Sequence, residues 1–365
     1  MVIGYVASDE LISLTSLIPK ITNRSDMVAD LIKSFQLTDN LEIIEPNNIS
    51  GLQLTEFHSK DYISTLENYS EDTEDDEKLR QFGLEFDCPP FPKMFRTVCA
   101  IGGASITAAE ELGQGYYQVV INWFGGWHHG QPEKAEGFCY VNDCVLAIRQ
   151  LRNYFSRVLY IDLDLHHGNG VESAFYQSSA VLTYSVHKYE TGFYPGGGGV
   201  DSIGEGKGRG YSVNIPLRNG ADDTTLTRVT DETLDTVVER FKPEAVVCQC
   251  GADGVSGDPH QAFSYTASGL SRVVSKVVSY NRPTLLLGGG GYNHPNVART
   301  WTTITADLLH TDLSNEEIPD HKYFTDYGPG FEMKITASNI KNENDSSYLD
   351  SVINSVNNNL DLIKL

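Results

Sequence analysis

Residues 157–169, RVLYIDLDLHHGN, begin as an apolar strand and run straight into two acids, two histidines and a glycine turn. A strand apolar along its length, ended by reactive groups, suits a parallel sheet covered on both faces, where ligands gather beyond the carboxyl ends. Six further runs repeat the pattern: VIGYVAS (2–8), YYQVVINW (116–123), AVLTYSV (180–186), GYSVNIPL (210–217), EAVVCQC (244–250) and RPTLLLG (282–288). Amphipathic stretches separate them, among them ASITAAEEL (104–112), TLTRVTDETLDTVVERF (225–241) and LSRVVSKVVSY (270–280). In the second of these Leu226, Val229, Leu234, Val237 and Phe241 share a face before Pro243 stops the helix. Alternating strands and helices predict an α/β fold, three layers with a central, mainly parallel sheet.

No gap reads as a linker, so one catalytic domain is expected over 1–335, followed by a polar segment, 336–365, ending in a weak amphipathic helix. SEDTEDDEK (70–78) reads as an irregular acidic loop, and GFYPGGGGVDSIGEGKGRG (192–210) as a long glycine-rich loop of the kind that carries function. The 365 residues carry a formal net charge of −22, which disfavours direct nucleic-acid binding and suits a basic substrate such as a lysine-rich tail. Six cysteines form no CxxC pair and are expected as free thiols of an intracellular protein. No stretch resembles a signal peptide or a membrane span, so no membrane partner is expected.

Four strand ends carry reactive groups: Asp164 and His166 in DLDLHH, Asp253 in CGAD, Tyr292 after four glycines, and His128 and His129 after FGGW. Parallel strands would bring them to one edge. Period-two geometry places Asp162, Asp164 and His166 on one face of an extended strand. Asp164, His166 and Asp253 make an O,N,O donor set for a borderline divalent ion, zinc or ferrous iron, with a coordination position left open, as catalytic sites require. A neighbouring histidine suits proton transfer, and Tyr292 suits oxyanion stabilisation.

Taken together, INWFGGWHHG, EGFCYVND, YIDLDLHHGNGV, GFYPG, GKGRGYSVNIPL, QCGADGVSGD and LLLGGGGYN resemble the zinc-dependent histone deacetylases, in family order and spacing. GGWHH and GDPHQAFSYT look closest to the class I branch typified by histone deacetylase eight. The resemblance implies an arginase-like fold and hydrolysis of N-ε-acetyl-lysine in histones or other protein tails. It implies zinc on Asp164, His166 and Asp253, with His128, His129, Tyr292 and Asp162 catalytic. Substrate contacts would come from Asp87, Gly137, Phe138, Tyr194, His260 and Trp127, and Arg24 would stand beside an acetate exit. Two potassium sites are implied, one at Asp162, Asp164, His166, Ser185 and Val186, the other at Phe175, Ser178, Val181 and Tyr211. Residence in the nucleus, the cytoplasm or both is expected by the same analogy.

The chain departs from the class I pattern at several positions. Asn169 stands where an acid partners the base histidine, predicting a less basic His129. Tyr194 replaces a tunnel phenylalanine, and His260 brings a titratable group to the rim. Pro259 and Pro295 replace arginines that serve inositol phosphate in corepressor-dependent members, so that dependence is not expected. A two-manganese ureohydrolase would need more acids than GADGVSGD supplies. A polyamine deacetylase or a silent scaffold each has one or two features in its favour, the acidic rim or Asn169.

Overall fold

The computed structural model describes residues 2–70 and 76–363. All seven apolar runs form strands: β1 (Ile3–Val6), β3 (Val119–Asn122), β4 (Val158–Asp162), β5 (Val181–Lys188), β6 (Ser212–Leu217), β7 (Ala245–Gln249) and β8 (Thr284–Leu287). An eighth, β2 (Glu42–Ile44), was not expected; it is a short edge strand with two exposed residues, so it lacks the apolar signature. The strands form one sheet in the order β2-β1-β3-β8-β7-β4-β5-β6, and every pairing is parallel.

Strands buried at every position need cover on both faces. Helices Met94–Gly113 and Asp143–Leu151 pack on each other and against β3 and β4. Asp223–Phe241, Ala267–Ser279 and His294–Leu308 pack in succession to form a second helical layer. A smaller apolar cluster, including Leu54, Tyr62, Phe91, Trp127 and Tyr140, underlies the loops that wall the site.

Two local expectations change. Within the acidic 70–78 stretch, helix Asp76–Gln81 begins where an irregular loop was expected; its DEKLRQ sequence supplies basic residues to the last turn. Residues 71–75 of that stretch lie outside the described residues. The strand in RVLYIDLDLHH ends at Asp162, so Asp164 and His166 lie on a loop and not on a strand face. The polar stretch after 335 is tied to the body: Asn344 donates to Arg218 O at 2.9 Å and accepts from Arg218 N at 2.7 Å. Helix Ser346–Leu360, N-capped by Asp345, buries Leu349, Val352, Ile353, Val356 and Leu360.

Register places the chemistry. Asn122, Leu287, Gln249, Asp162 and Ser185 face one another in a row across five strands. Beyond that row, at the carboxyl edge, the loops after β3, β4, β7 and β8 meet.

Candidate active site

Asp164, His166 and Asp253 come together, buried, with one donor atom of each within 4.8 Å of the others. His166 Nδ1 lies 2.8 Å from Asp253 Oδ2 and 3.5 Å from Asp164 Oδ1. Backbone and side-chain donors hold both carboxylates. Gly290 N–H and Gln249 Nε2 each reach Asp164 Oδ2 at 2.8 Å, and Leu165 N–H reaches Asp253 Oδ1 at 2.8 Å. The carboxylates lie so close to the glycine run after β8 that a Cβ at Gly290 would collide with both. Gln249 went unnoticed in the sequence, where one amide at the end of VVCQC looks like a strand terminus.

The donor set fits a divalent ion. Burial and the Asp164 charge push Asp253 up to about 6. Burial opposes a charged His166, yet Asp164 and Asp253 raise it to about 10. The two buried carboxylates thus rely on histidine charges, from His166 and from His128 3.8 Å from Asp164, and a cation on the same donors would offset both.

Above this cluster runs a directed chain of hydrogen bonds. The β3 loop turns at Gly126, with φ +98, a conformation a side chain resists and a position where a Cβ would strike the Gly288 backbone. That turn delivers His128 and His129 side by side, their Nε2 atoms 3.0 Å apart. Asp162 Oδ2 accepts from His128 Nδ1 and from the Tyr160 hydroxyl, both at 2.7 Å. Burial favours a neutral His128, but the charges of Asp162 and Asp164 raise it to about 9. His129 goes the other way, driven well below the usual range by burial and then by the charges of His128 and His166. His129 Nδ1 donates to Asn169 Oδ1 at 2.7 Å.

A cavity of about 160 Å³ leads to the cluster, lined by Asp87, His129, Gly137, Phe138, His166, Tyr194, His260 and Tyr292. Phe193, not anticipated, stacks flat on His166 with centroids 5.2 Å apart. Asp87 Oδ2 accepts from Gly137 N–H at 3.0 Å, which fixes one wall to the rim. His260 is exposed at the mouth of the cavity, its ring 4.9 Å from His166 and 5.0 Å from Tyr292. Tyr292 is held in place despite its glycine tether: its N–H donates to Asp258 Oδ2 at 2.8 Å, and Phe138 packs edge-on at 5.4 Å. Burial, then Asp253 and Asp164, keep the Tyr292 hydroxyl protonated by raising it well above the usual phenol range.

Trp127 does not line this channel. It faces a smaller inner cavity of about 40 Å³ with Ile21 and Arg24, because its indole N–H is turned back to Phe124 O. Arg24 is buried there, donating to Gly291 O at 2.9 Å with its guanidinium over Trp301. Burial lowers it only to about 10, so it stays cationic. Of the residues expected around monovalent cations, Ser185 pairs in register with Asp162 and precedes Val186 at the active edge. Val181 opens β5 and Tyr211 precedes β6, with Phe175 ending the helix Asn169–Phe175; together with Ser178 these lie toward the opposite edge.

A model of the histone deacetylase domain matches residues 18–308. Histone deacetylase 8 of Xenopus tropicalis is 43% identical over 358 residues, 98% of this chain and 97% of that protein. Histone deacetylase 8 of Danio rerio is 43% identical over 357 residues, 98% and 94% of the respective chains. Human histone deacetylase 1 is 42% identical over 336 residues, 92% of this chain and 69% of its own.

Proposed function

The chain belongs to the histone deacetylase family, and from that premise we propose that it hydrolyses N-ε-acetyl-lysine in histone or other protein tails at the site described above. One observation carries the reading: Asp164, His166 and Asp253 meet at the foot of a narrow cavity whose walls also present His129 and Tyr292. Asp164, His166 and Asp253 would hold a divalent ion, zinc in our reading or ferrous iron by the same donor chemistry, which supplies Lewis acidity to the water and the acetyl carbonyl.

The remaining work falls to the chain's own residues. Phe138 and Tyr194 flank the lysine stem, and Gly137 leaves room for it. Asp87 serves the substrate backbone at the rim. His129, neutral and with its Nδ1 occupied by Asn169, takes a proton at Nε2 from the attacking water. It returns the proton to the lysine nitrogen as the C–N bond breaks. Tyr292 donates its hydroxyl hydrogen to the developing oxyanion. His128, kept charged by Asp162, favours the same negative charge. Arg24 offers acetate a cationic partner in the inner cavity.

The finer assignments follow the family. They are potassium at the two residue sets that the resemblance implies, residence in the nucleus or cytoplasm, and no direct contact with nucleic acid. Independence from inositol phosphate is supported by the cavity that holds Pro259 and Pro295, whose lining includes Asp326 and neither lysine nor arginine. No described helix is long and apolar enough to cross a membrane.

Hydrolysis of an acetyl-lysine peptide, assayed with and without a chelator, tests the reading. Activity should vanish on chelation and fall roughly 100- to 1,000-fold in Tyr292→Phe. Robust turnover in both tests would sink the mechanism.

A further inference from the structure

Two of the chain's departures, Asn169 and Tyr194, converge on one carboxylate that no step above uses. Glu136 Oε1 accepts from Asn169 Nδ2 at 2.9 Å and from the Tyr194 hydroxyl at 3.2 Å. Its other oxygen pairs with Lys134 Nζ at 2.8 Å. The residue itself is fixed by a tight turn in which Glu136 and Cys139 exchange both backbone hydrogen bonds, at 3.1 and 2.9 Å. The Tyr194 ring then packs edge-on against His129, centroids 5.0 Å apart, closing a ring of four side chains.

We propose that Glu136 is a positioning residue that sets which nitrogen of His129 carries the proton, acting through the Asn169 amide. The reasoning needs only donor and acceptor inventories. An amide is ambidextrous, offering an acceptor oxygen on one side and two N–H donors on the other. A carboxylate only accepts, so Asn169 must turn its NH₂ toward Glu136 and its oxygen toward His129. That oxygen also only accepts, so His129 Nδ1 must bear the hydrogen. Nε2 is left with its lone pair, on the side of the ring that faces His128. An aspartate at 169 would impose this tautomer unaided. An asparagine imposes it only while an acid stands behind it.

Without Glu136 the amide is free to flip and present N–H to His129 Nδ1. The proton would then sit on Nε2, 3.0 Å from His128 Nε2, so His128 would have to give up its own Nε2 hydrogen to accept it, and the His129 ring would have no lone pair to take a proton from water. A cation at 136 would drive the flip, since it demands the amide oxygen for itself. The effect on rate should therefore follow the hydrogen-bonding sense of residue 136, not its size.

This inference rests on His129 being the proton carrier of the reaction proposed above. The test uses the metal-loaded 365-residue chain and three variants: Glu136→Gln, Glu136→Lys, and Glu136→Lys combined with Asn169→Asp. Steady-state kinetics on an acetyl-lysine peptide are paired with long-range proton–nitrogen NMR of histidine-labelled protein, which reads the His129 tautomer directly. Glu136→Gln should cost a few-fold in kcat, and Glu136→Lys roughly tenfold to a hundredfold, with KM little changed. The spectra should show His129 protonated at Nδ1 in the parent and at Nε2 in Glu136→Lys. The double variant should recover most of the lost kcat and the original tautomer. If Glu136→Lys leaves the tautomer unchanged, or if Asn169→Asp fails to rescue it, the inference is wrong. An inactive parent chain, or an active His129→Ala variant, would instead remove the functional reading, and the NMR result distinguishes the two failures.

Discussion

Asn169 shows how far a residue's identity can mislead without its neighbours. Read in the sequence, it is a missing carboxylate that should leave His129 less basic. In space an acid is present, displaced one side chain outward to Glu136. The displacement was illegible because Glu136 lies 33 positions before Asn169, and its motif, EGFCYVND, gives no sign of which distant side chain the acid meets. The proposed metal ligands, by contrast, were legible because each follows within a few residues of an apolar strand. Asn169→Asp should place two carboxylates side by side and favour the imidazolium form of His129. A raised His129 pKa means the base is deprotonated only at higher pH, so the acidic limb of the pH–rate profile should move upward. Metal content by atomic analysis should not change. A variant that altered metal content alone would show that residue 169 had been misassigned.

Between residues and the whole lie the loops, where the sequence says less. Strand cores announce themselves by apolar runs, but the geometry beyond them depends on props from distant segments. His58 is one such prop. Its Nδ1–H donates to Gln131 O and its Nε2 accepts from Asn142 N–H, both at 2.9 Å. Asn142 in turn caps helix Asp143–Leu151 and donates to Gly130 O, so His58 steadies the loop that carries His128 and His129. Burial lowers His58 from 6.5 to about 4, outweighing the backbone carbonyls that favour its charged form. A lowered histidine contributes stability above its unfolded pKa, and that stability is lost as pH falls from 6.5 through about 4. The loss should be on the order of 3 kcal/mol. Urea denaturation across that range should show a flatter pH dependence in His58→Gln than in the parent; equal slopes would remove His58 from the explanation.

The whole molecule is acidic, with a formal net charge of −22, and it concentrates two buried carboxylates at its centre. A divalent ion that binds only the folded chain should stabilise it by about 4 kcal/mol at a thousandfold excess over Kd. Melting curves should therefore rise on adding zinc to chelated protein, and the rise should be absent in Asp253→Ala. A shift of equal size in that variant would place the ion elsewhere. The sheet order has a further consequence, for synthesis. The strand between β3 and β7 is β8, the last of the sheet to be made. As the chain leaves the ribosome, β1 with β3 and β7 with β4 can each pair beforehand, but no strand pairing joins the two halves until residue 287 has emerged. His128 and His129 belong to one half, and Asp164, His166 and Asp253 to the other. A nascent chain thus lacks the continuous sheet that aligns its active centre until β8 has been made, and both halves expose unpaired strand edges for chaperones to guard until then.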